Sequence, residues 1–331
     1  MDISSILTYV LFTFGLGLIA FGADWFVDAA VNISKRSGIP KAVIGATIVS
    51  FATTAPEFFV SFMAAVGGHP DLAIGNAVGS TICNIGIAIG FIILLRTVAV
   101  DDKSFNIKVL MMLGAGAILF VLSYNGMITK FDGAILLIIF IAYLAYTYRN
   151  QKGDSKEKEK NKTDELIVRK GIWAKIKLKD TYLDILMFLA GAAFVIGGSR
   201  LVVDNGILIA DQIGIPEIII GLTVVSIGTS LPEIITAITS FRKGFQELSI
   251  GNIVGANILD ITMILGVSSM FADLPINGQL LRYDYIFMML MFVLVAIFGF
   301  RKKITRTQGA VISIVYIVYV IGLFVYVPNM A

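Results

Sequence analysis

Residues 221–233 read Gly-Leu-Thr-Val-Val-Ser-Ile-Gly-Thr-Ser-Leu-Pro-Glu, and residues 251–260 read Gly-Asn-Ile-Val-Gly-Ala-Asn-Ile-Leu-Asp. Two carboxylates, Glu233 and Asp260, therefore stand inside otherwise apolar segments. A charged side chain at the centre of a bilayer costs about 2.5–3.5 kcal/mol on insertion scales, so it marks a functional position by default. The stretch also has a twin. Subtracting 176 carries Glu233 to Glu57, Pro232 to Pro56, Thr229 to Thr53, Gly251-Asn252 to Gly75-Asn76 and Asp260 to Asn84. The same offset holds upstream, where Gly214-Ile215-Pro216 matches Gly38-Ile39-Pro40, Gly198 matches Gly22 and Asp204 matches Asp28. One ungapped offset over so long a run is an internal duplication, and a duplication fixes the architecture before any single element does.

Composition supplies the environment. At 57% hydrophobic and 15% charged, the chain lies above the roughly 45–50% apolar usage of soluble domains and below their roughly 25% charged usage. Its apolar runs are long enough for helices to cross a hydrocarbon core of about 30 Å, and the alternation that marks membrane strands is absent. The expected fold is an all-α membrane protein of ten transmembrane helices. The spans run over about 6–31, 42–66, 72–95, 107–123, 131–148, 181–203, 218–241, 247–270, 285–300 and 308–327. The first is read as a helix rather than a signal peptide, because Met1-Asp2-Ile3-Ser4-Ser5 carries no positive charge. A single cysteine, Cys83, excludes a disulfide framework within the chain.

Orientation follows from the basic residues. With both termini outside, every Lys and Arg falls in an inner loop except Lys130 and Arg282, in outer loops, and Arg200, inside a span. This is the positive-inside distribution. Five spans per half is an odd number, so the second half enters the membrane inverted relative to the first. The organisation is a first repeat over 1–148, a charged cytoplasmic linker over 149–180 and a second repeat over 181–331. The linker lysines suit anionic lipid, and residues 171–177 suit a short interfacial segment.

Pro56 and Pro232 each lack an N–H, which frees the carbonyls of Ala52 and Gly228 and bends both helices just before a glutamate. In lipid, such a break is tolerated only where it is buried in protein or lines a wet cavity. Brought together, the two kinks gather Glu57, Glu233, Asp260 and Asn84 with the hydroxyls of Thr53, Thr54, Thr229 and Ser230. These ligands are all oxygen, the set that suits Ca2+ and also Na+ rather than Zn2+ or Cu+. Carboxylates so gathered need cations or protons to neutralise them. Broken helices at the midplane of an inverted repeat are the pattern of a secondary transporter. Gly75 and Gly79 are read as close-packing positions, and His69, in the turn Gly67-Gly68-His69-Pro70, as a loop residue. Asp24 and Arg200 sit at positions where they either pair between the repeats or reach separately to water.

The segments 43–57 with 75–90, and 220–233 with 251–266, resemble the two alpha-repeats of the cation/calcium antiporter superfamily, most of all the prokaryotic sodium/calcium exchangers. The resemblance covers the whole layout and places the alpha-repeats at about 43–90 and 219–266. It implies a secondary antiporter that exchanges Na+ for Ca2+ by alternating access. Helices two, three, seven and eight would hold the ions while helices one and six slide against them. Carried over by position, Glu57 and Glu233 would be ligands common to both ions, and the backbone oxygens of Thr53 and Thr229 would complete the calcium site. Ser50, Thr54, Ser226 and Ser230 would help form flanking sodium sites, Asn84 and Asp260 a middle one, and Ser80 would be the serine of the third helix. Three positions depart from the pattern: Ala52, Thr54 and Ala256, the last removing a hydroxyl.

The resemblance also implies a plasma-membrane location, Ca2+ and Na+ as transported ions, and membrane lipid as the surroundings. It implies no cofactor, nucleic acid or obligate protein partner. The alternative reading is a proton/calcium antiporter. The motifs Ala-Thr-Thr-Ala-Pro-Glu and Gly-Thr-Ser-Leu-Pro-Glu favour sodium over that branch, and Glu233, where potassium-dependent members tend to have Asp, disfavours potassium. An intramembrane hydrolase would need a serine with a base, a His-Glu-x-x-His site or paired aspartates, none of which the sequence offers. A channel would line its pore with rings of acids, whereas one central acidic cluster fits alternating access.

Overall fold

The computed structural model describes residues 3–36, 51, 53–99, 103–158, 180–242, 246–301 and 303–325. The first half contains α1 (Ile3–Arg36), α2 (Ala55–Val66), α3 (Pro70–Cys83), α4 (Gly90–Leu95), strand β1 (Val98–Ala99), α5 (Lys103–Leu122), β2 (Met127–Ile128) and α6 (Lys130–Lys158). The second contains α7 (Asp180–Ile213), α8 (Glu217–Ile220), α9 (Ser226–Thr229), α10 (Leu231–Arg242), α11 (Gln246–Leu259), α12 (Leu265–Phe271), β3 (Leu274–Pro275), α13 (Tyr285–Gly299), β4 (Lys303–Ile304) and α14 (Arg306–Val325). Wider, π-type turns join several of these without breaking the rod: Asn84–Ile89 between α3 and α4, Gly221–Val225 between α8 and α9, and Asp260–Ile264 between α11 and α12.

The offset of 176 recurs in three dimensions. It carries α2 onto α10 and α3 onto α11 end to end, and β1 onto β3 and β2 onto β4. The strands pair across the halves, β1 with β4 and β2 with β3, both antiparallel. Val98 opposite Ile304 becomes, under the offset, Leu274 opposite Ile128, and that pair is present. The same exchange appears where α1 crosses α7. A Cβ on Gly15 would stand 2.9 Å from the carbonyl oxygen of Gly198, and one on Gly22 would stand 2.8 Å from that of Gly191. These are the two equivalent halves of one crossing, and only glycine lets the backbones approach so closely.

Eight helices among the described residues are long and apolar enough to cross a membrane. The remaining apolar helices, Ala55–Val66 and Glu217–Thr229, are shorter, and the reason is local. Thr54 (φ −80°, ψ 0°) and Ser230 (φ −79°, ψ 0°) leave the helical region at equivalent points, each two residues before a proline. The Ser230 N–H still donates to the Ser226 carbonyl, and the Ile234 N–H to the Ser230 carbonyl. The rod therefore bends at the missing Pro232 donor instead of parting. Residues 42–50 of the second expected span lie outside the described residues.

Burial separates core from periphery. Of the most apolar window, 78% is buried in Pro70–Leu95 and 89% in Ile250–Phe271, against 28% in Lys130–Arg149 and 22% in Arg306–Val325. The outer helices present Phe131, Ile138, Ile141, Ile314, Ile317 and Ile321 outward, an apolar coat suited to lipid. Asp24 and Arg200 are both exposed and form no ion pair, so the expected pairing gives way to separate contact with the surroundings. The ion pair joining α1 to α7 is instead that of Arg36 with Asp184 at 2.8 Å and with Asp180 at 3.3 Å.

Gly198→Val places a side chain where Cβ alone is 2.7 Å from the Gly15 oxygen. Overpacking of this kind costs about 1–3 kcal/mol, to be read as a lower thermal midpoint of the detergent-purified protein. Gly197→Ala, with nothing within 4 Å of its Cβ, is expected to show no loss.

Candidate functional site

The two kinks meet in the interior. Thr53 and Thr54 lie at the first bend, Ser230 at the second, and Glu57 and Glu233 fall in the first turns of α2 and α10. A carboxylate there faces the positive end of a helix dipole and the uncommitted N–H groups of the opening turn. Asn84 and Asp260 open the two equivalent π-type turns, a local widening common at functional positions. Thr53, Thr54, Glu57, Ser80, Asn84, Ser226, Thr229, Ser230, Glu233 and Asp260 are at most 3% exposed. Ser50 lies outside the described residues.

Hydrogen bonds tie the halves together here. The Thr54 hydroxyl donates to Glu233 Oε1 at 3.3 Å, with Thr53 beside the same carboxylate. Asn76, on α3, donates its amide to the Glu57 carbonyl at 3.2 Å and to Ser61 Oγ at 2.9 Å, and its oxygen accepts from the Thr229 hydroxyl at 3.0 Å. Asn84 Nδ2 donates to Asn257 Oδ1 at 3.1 Å. Ser226 turns its hydroxyl onto its own helix, to the carbonyls of Leu222 at 2.9 Å and Thr223 at 3.0 Å. The glycines of α3 do the packing expected of them. A Cβ at Gly75 would be 2.6 Å from the Ile218 carbonyl oxygen, and one at Gly79 2.7 Å from that of Leu222.

What these bonds leave over defines the site. Glu57 Oε1 and Oε2, Glu233 Oε2, Asp260 Oδ1 and Oδ2, Asn84 Oδ1, Ser80 Oγ and Ser230 Oγ are buried without a hydrogen-bond partner. Buried polar atoms are otherwise nearly always satisfied, and each orphan costs about 1–3 kcal/mol, more when charged. The carboxylates of Glu57, Glu233 and Asp260 are close enough to repel one another. Among the described residues no three His, Cys, Asp or Glu side chains converge on one metal-sized point. The donor set therefore joins pairs of carboxylate oxygens to hydroxyl and amide oxygens, and a hard cation suits it.

Two connections escaped the sequence. Asn76 and Asn257 hold the framework of the site, and the only signal was an asparagine in an apolar run, which an interior without water does not leave unpaired. His69 is more than a loop residue: its Nδ1 lies 3.0 and 3.1 Å from the two oxygens of Glu217, tying the start of α3 to the start of α8. Ala256, 1% exposed on α11, brings no oxygen to the interior.

The family model described as sodium/calcium exchanger protein matches residues 7–149 and 183–325. The chain belongs to the sodium/calcium exchanger family. Similar exchanger-family relatives include the sodium/calcium exchanger MaX1 of Methanosarcina acetivorans, 26% identical over 96% of this chain and 98% of that one. The inner membrane protein YrbG of Escherichia coli is 33% identical over 92% of each chain. A solved structure of the sodium-calcium exchanger NCX_Mj soaked with Na+ and Sr2+ is 30% identical, with a TM-score of 0.64 over 95% of this chain and 98% of that one. The protein is thus a multi-pass membrane protein and a cation/calcium antiporter.

Asn76→Leu would leave the Glu57 carbonyl and the Ser61 and Thr229 hydroxyls without their shared partner. The exchanger is expected to lose about 1–3 kcal/mol of stability, seen as a lower thermal midpoint. Added Ca2+ should recover part of that loss, because a ligand of the folded state stabilises it by mass action.

Proposed function

We propose that this exchanger moves Na+ against Ca2+ at the junction of the two kinks, within ten transmembrane helices arranged as two inverted five-helix repeats over 1–148 and 181–331. The offset of 176 and the strand pairing between halves support that layout. The single observation that carries the functional reading is the cluster of orphaned buried oxygens on Glu57, Glu233, Asp260, Asn84, Ser80 and Ser230. Glu57 and Glu233 serve both ions, with the carbonyls of Thr53 and Thr229 for Ca2+. Thr54, Ser226, Ser230 and Ser50 flank them for Na+, Asn84 and Asp260 form the middle position, and Ser80 contributes from α3.

Antiport follows from the electrostatics. Ca2+ neutralises the two glutamates together, whereas Na+ ions do so one by one, and a single pair of carboxylates does not serve both loads at once. An empty site would have to carry unneutralised carboxylates through an occluded, water-free state, and a buried charge stripped of its partner costs about 3–5 kcal/mol. The loaded protein therefore changes access and the empty one does not, which makes transport an exchange. The moving partners are α1 and α7, whose crossing is lined by glycine and whose Leu16 rests on Gly228 beside the second kink. The loop over 149–180 is cytoplasmic and both termini are outside, in the plasma membrane, with lipid as the only other contact. The protein is a carrier without cofactor and not an enzyme.

One observation favours protons as the second coupling ion. Ala256 has no hydroxyl, and the Ser226 hydroxyl is bonded to its own helix, so two of the positions where the family places sodium ligands contribute less. The deciding experiment is radioactive calcium uptake into proteoliposomes with the membrane potential clamped. Uptake driven by internal sodium, and absent with an inward-acidic pH gradient alone, is expected. Uptake driven equally by the proton gradient would replace sodium with protons. Glu57→Gln and Glu233→Gln each remove an anionic ligand common to the ions. Exchange should fall at least about 100-fold, equivalent to about 3 kcal/mol, and normal flux in a folded Glu233→Gln protein would refute the assignment.

A further inference from the structure

Asn257 lies on α11, three residues before Asp260, and is fully buried. Its Nδ2 donates to the Thr81 carbonyl at 3.2 Å, with Met112 Sδ at 3.9 Å, and its Oδ1 accepts from Asn84 Nδ2 at 3.1 Å. These bonds propagate one polarity. A backbone carbonyl only accepts, so Thr81 takes the NH2 half of Asn257. The oxygen half then faces Asn84 and also only accepts, so Asn84 must present its own NH2. Asn84 Oδ1 is thereby turned away, and it is buried without a partner. A carboxamide binds a cation through its oxygen alone and repels it with its NH2, so this orientation decides whether Asn84 is a ligand at all.

The repeat supplies a control. Under the offset of 176, Asn84 corresponds to Asp260, and Asn257 to Thr81. The two oxygens of a carboxylate are equivalent and need no orienting group. Opposite Asp260 the chain indeed places a threonine, whose hydroxyl donates to its own Val78 carbonyl at 2.7 Å, and both Asp260 oxygens remain without a donor. The amide position has an orienting partner and the carboxylate position has none.

We infer that Asn257 is a positioning residue that fixes the amide of Asn84 so that its oxygen faces the cation. The inference rests on the proposed role of Asn84 in the middle, sodium-binding position. Its consequence is selective: loss of Asn257 impairs Na+ binding and spares Ca2+, which uses the glutamates and the threonine carbonyls.

The test is radioactive Ca2+/Ca2+ self-exchange in proteoliposomes, which needs no coupling ion, titrated with Na+ as inhibitor. Asn84→Ala and Asn257→Ala are each expected to raise the half-inhibitory Na+ concentration about tenfold while changing the KM for Ca2+ less than about twofold. In an Asn84→Asp background, where the ligand has two equivalent oxygens, Asn257→Ala should shift Na+ inhibition less than about twofold. An equal effect of Asn257→Ala in both backgrounds would reduce Asn257 to a structural residue and overturn the inference. So would a change in Ca2+ KM without a change in Na+ inhibition. Wild-type Na+ inhibition in Asn84→Ala would instead overturn the assignment of Asn84 itself, a separable failure. Should Asn257→Ala not fold, Asn257→Leu, closer in volume, gives the same comparison. Asn257→Asp, which keeps an acceptor toward Asn84, should restore Na+ inhibition relative to Asn257→Ala.

Discussion

Oxygen atoms without partners, in an interior without water, are the constraint on which this molecule depends. Glu57, Glu233 and Asp260 are almost completely buried, and their free oxygens are answered by no Lys or Arg among the described residues. Such an arrangement is costly to a protein stable by only about 5–15 kcal/mol. It persists because the surrounding framework is over-determined. The helix N-termini at the kinks, the threonine bond across the halves and the Asn76 bridge hold the carboxylates in place without neutralising them. Rigid support with unmet charge is what a reversible cation site requires, since a site satisfied from within would have no use for the ion.

The duplication builds that framework, and departures from it set the chemistry. Where the halves agree, the equivalence is mechanical: the kinks at Thr54 and Ser230, the reciprocal glycine contacts of α1 with α7, and the two strand pairs. Where they differ, the difference falls on polar groups. Asn84 stands against Asp260, Thr81 against Asn257 and Ser80 against Ala256. The symmetric part gives two faces that can exchange roles, and the asymmetric part gives one site with ligands of unequal charge. The His69–Glu217 tie is asymmetric too, since the offset carries these residues to Phe245 and Lys41.

The legible features were those whose physics is local. Proline lacks its donor wherever it stands, so Pro56 and Pro232 announced two bends before any contact was known. A fixed offset needs no structure to be counted. Features that depend on which way a side chain turns were hidden. Asn76 and Asn257 each sit in an apolar run, and only the packing of α3 against α9 and α11 shows which carbonyl and which hydroxyl they meet. Asp24 and Arg200 occupy equivalent positions, but equivalence under a two-fold places residues on matching faces and does not make them touch. The pair that forms, Arg36 with Asp184, maps onto Gln212 and Thr8 and so left no trace in the repeat. The π-type turns at Asn84 and Asp260 carry no marker in composition.

The central claim is that the orphaned oxygens are the coordination shell of a transported cation. Anomalous diffraction from crystals soaked with Sr2+ in place of Ca2+ tests it most directly, because the ion reveals its own position. The account predicts one strong peak within coordination distance, roughly 2.3–2.6 Å for a calcium-like ion, of oxygens from both Glu57 and Glu233, and its displacement when Na+ is raised. A peak bound elsewhere with both glutamates free, or one that Glu57→Gln and Glu233→Gln leave unchanged, would contradict it.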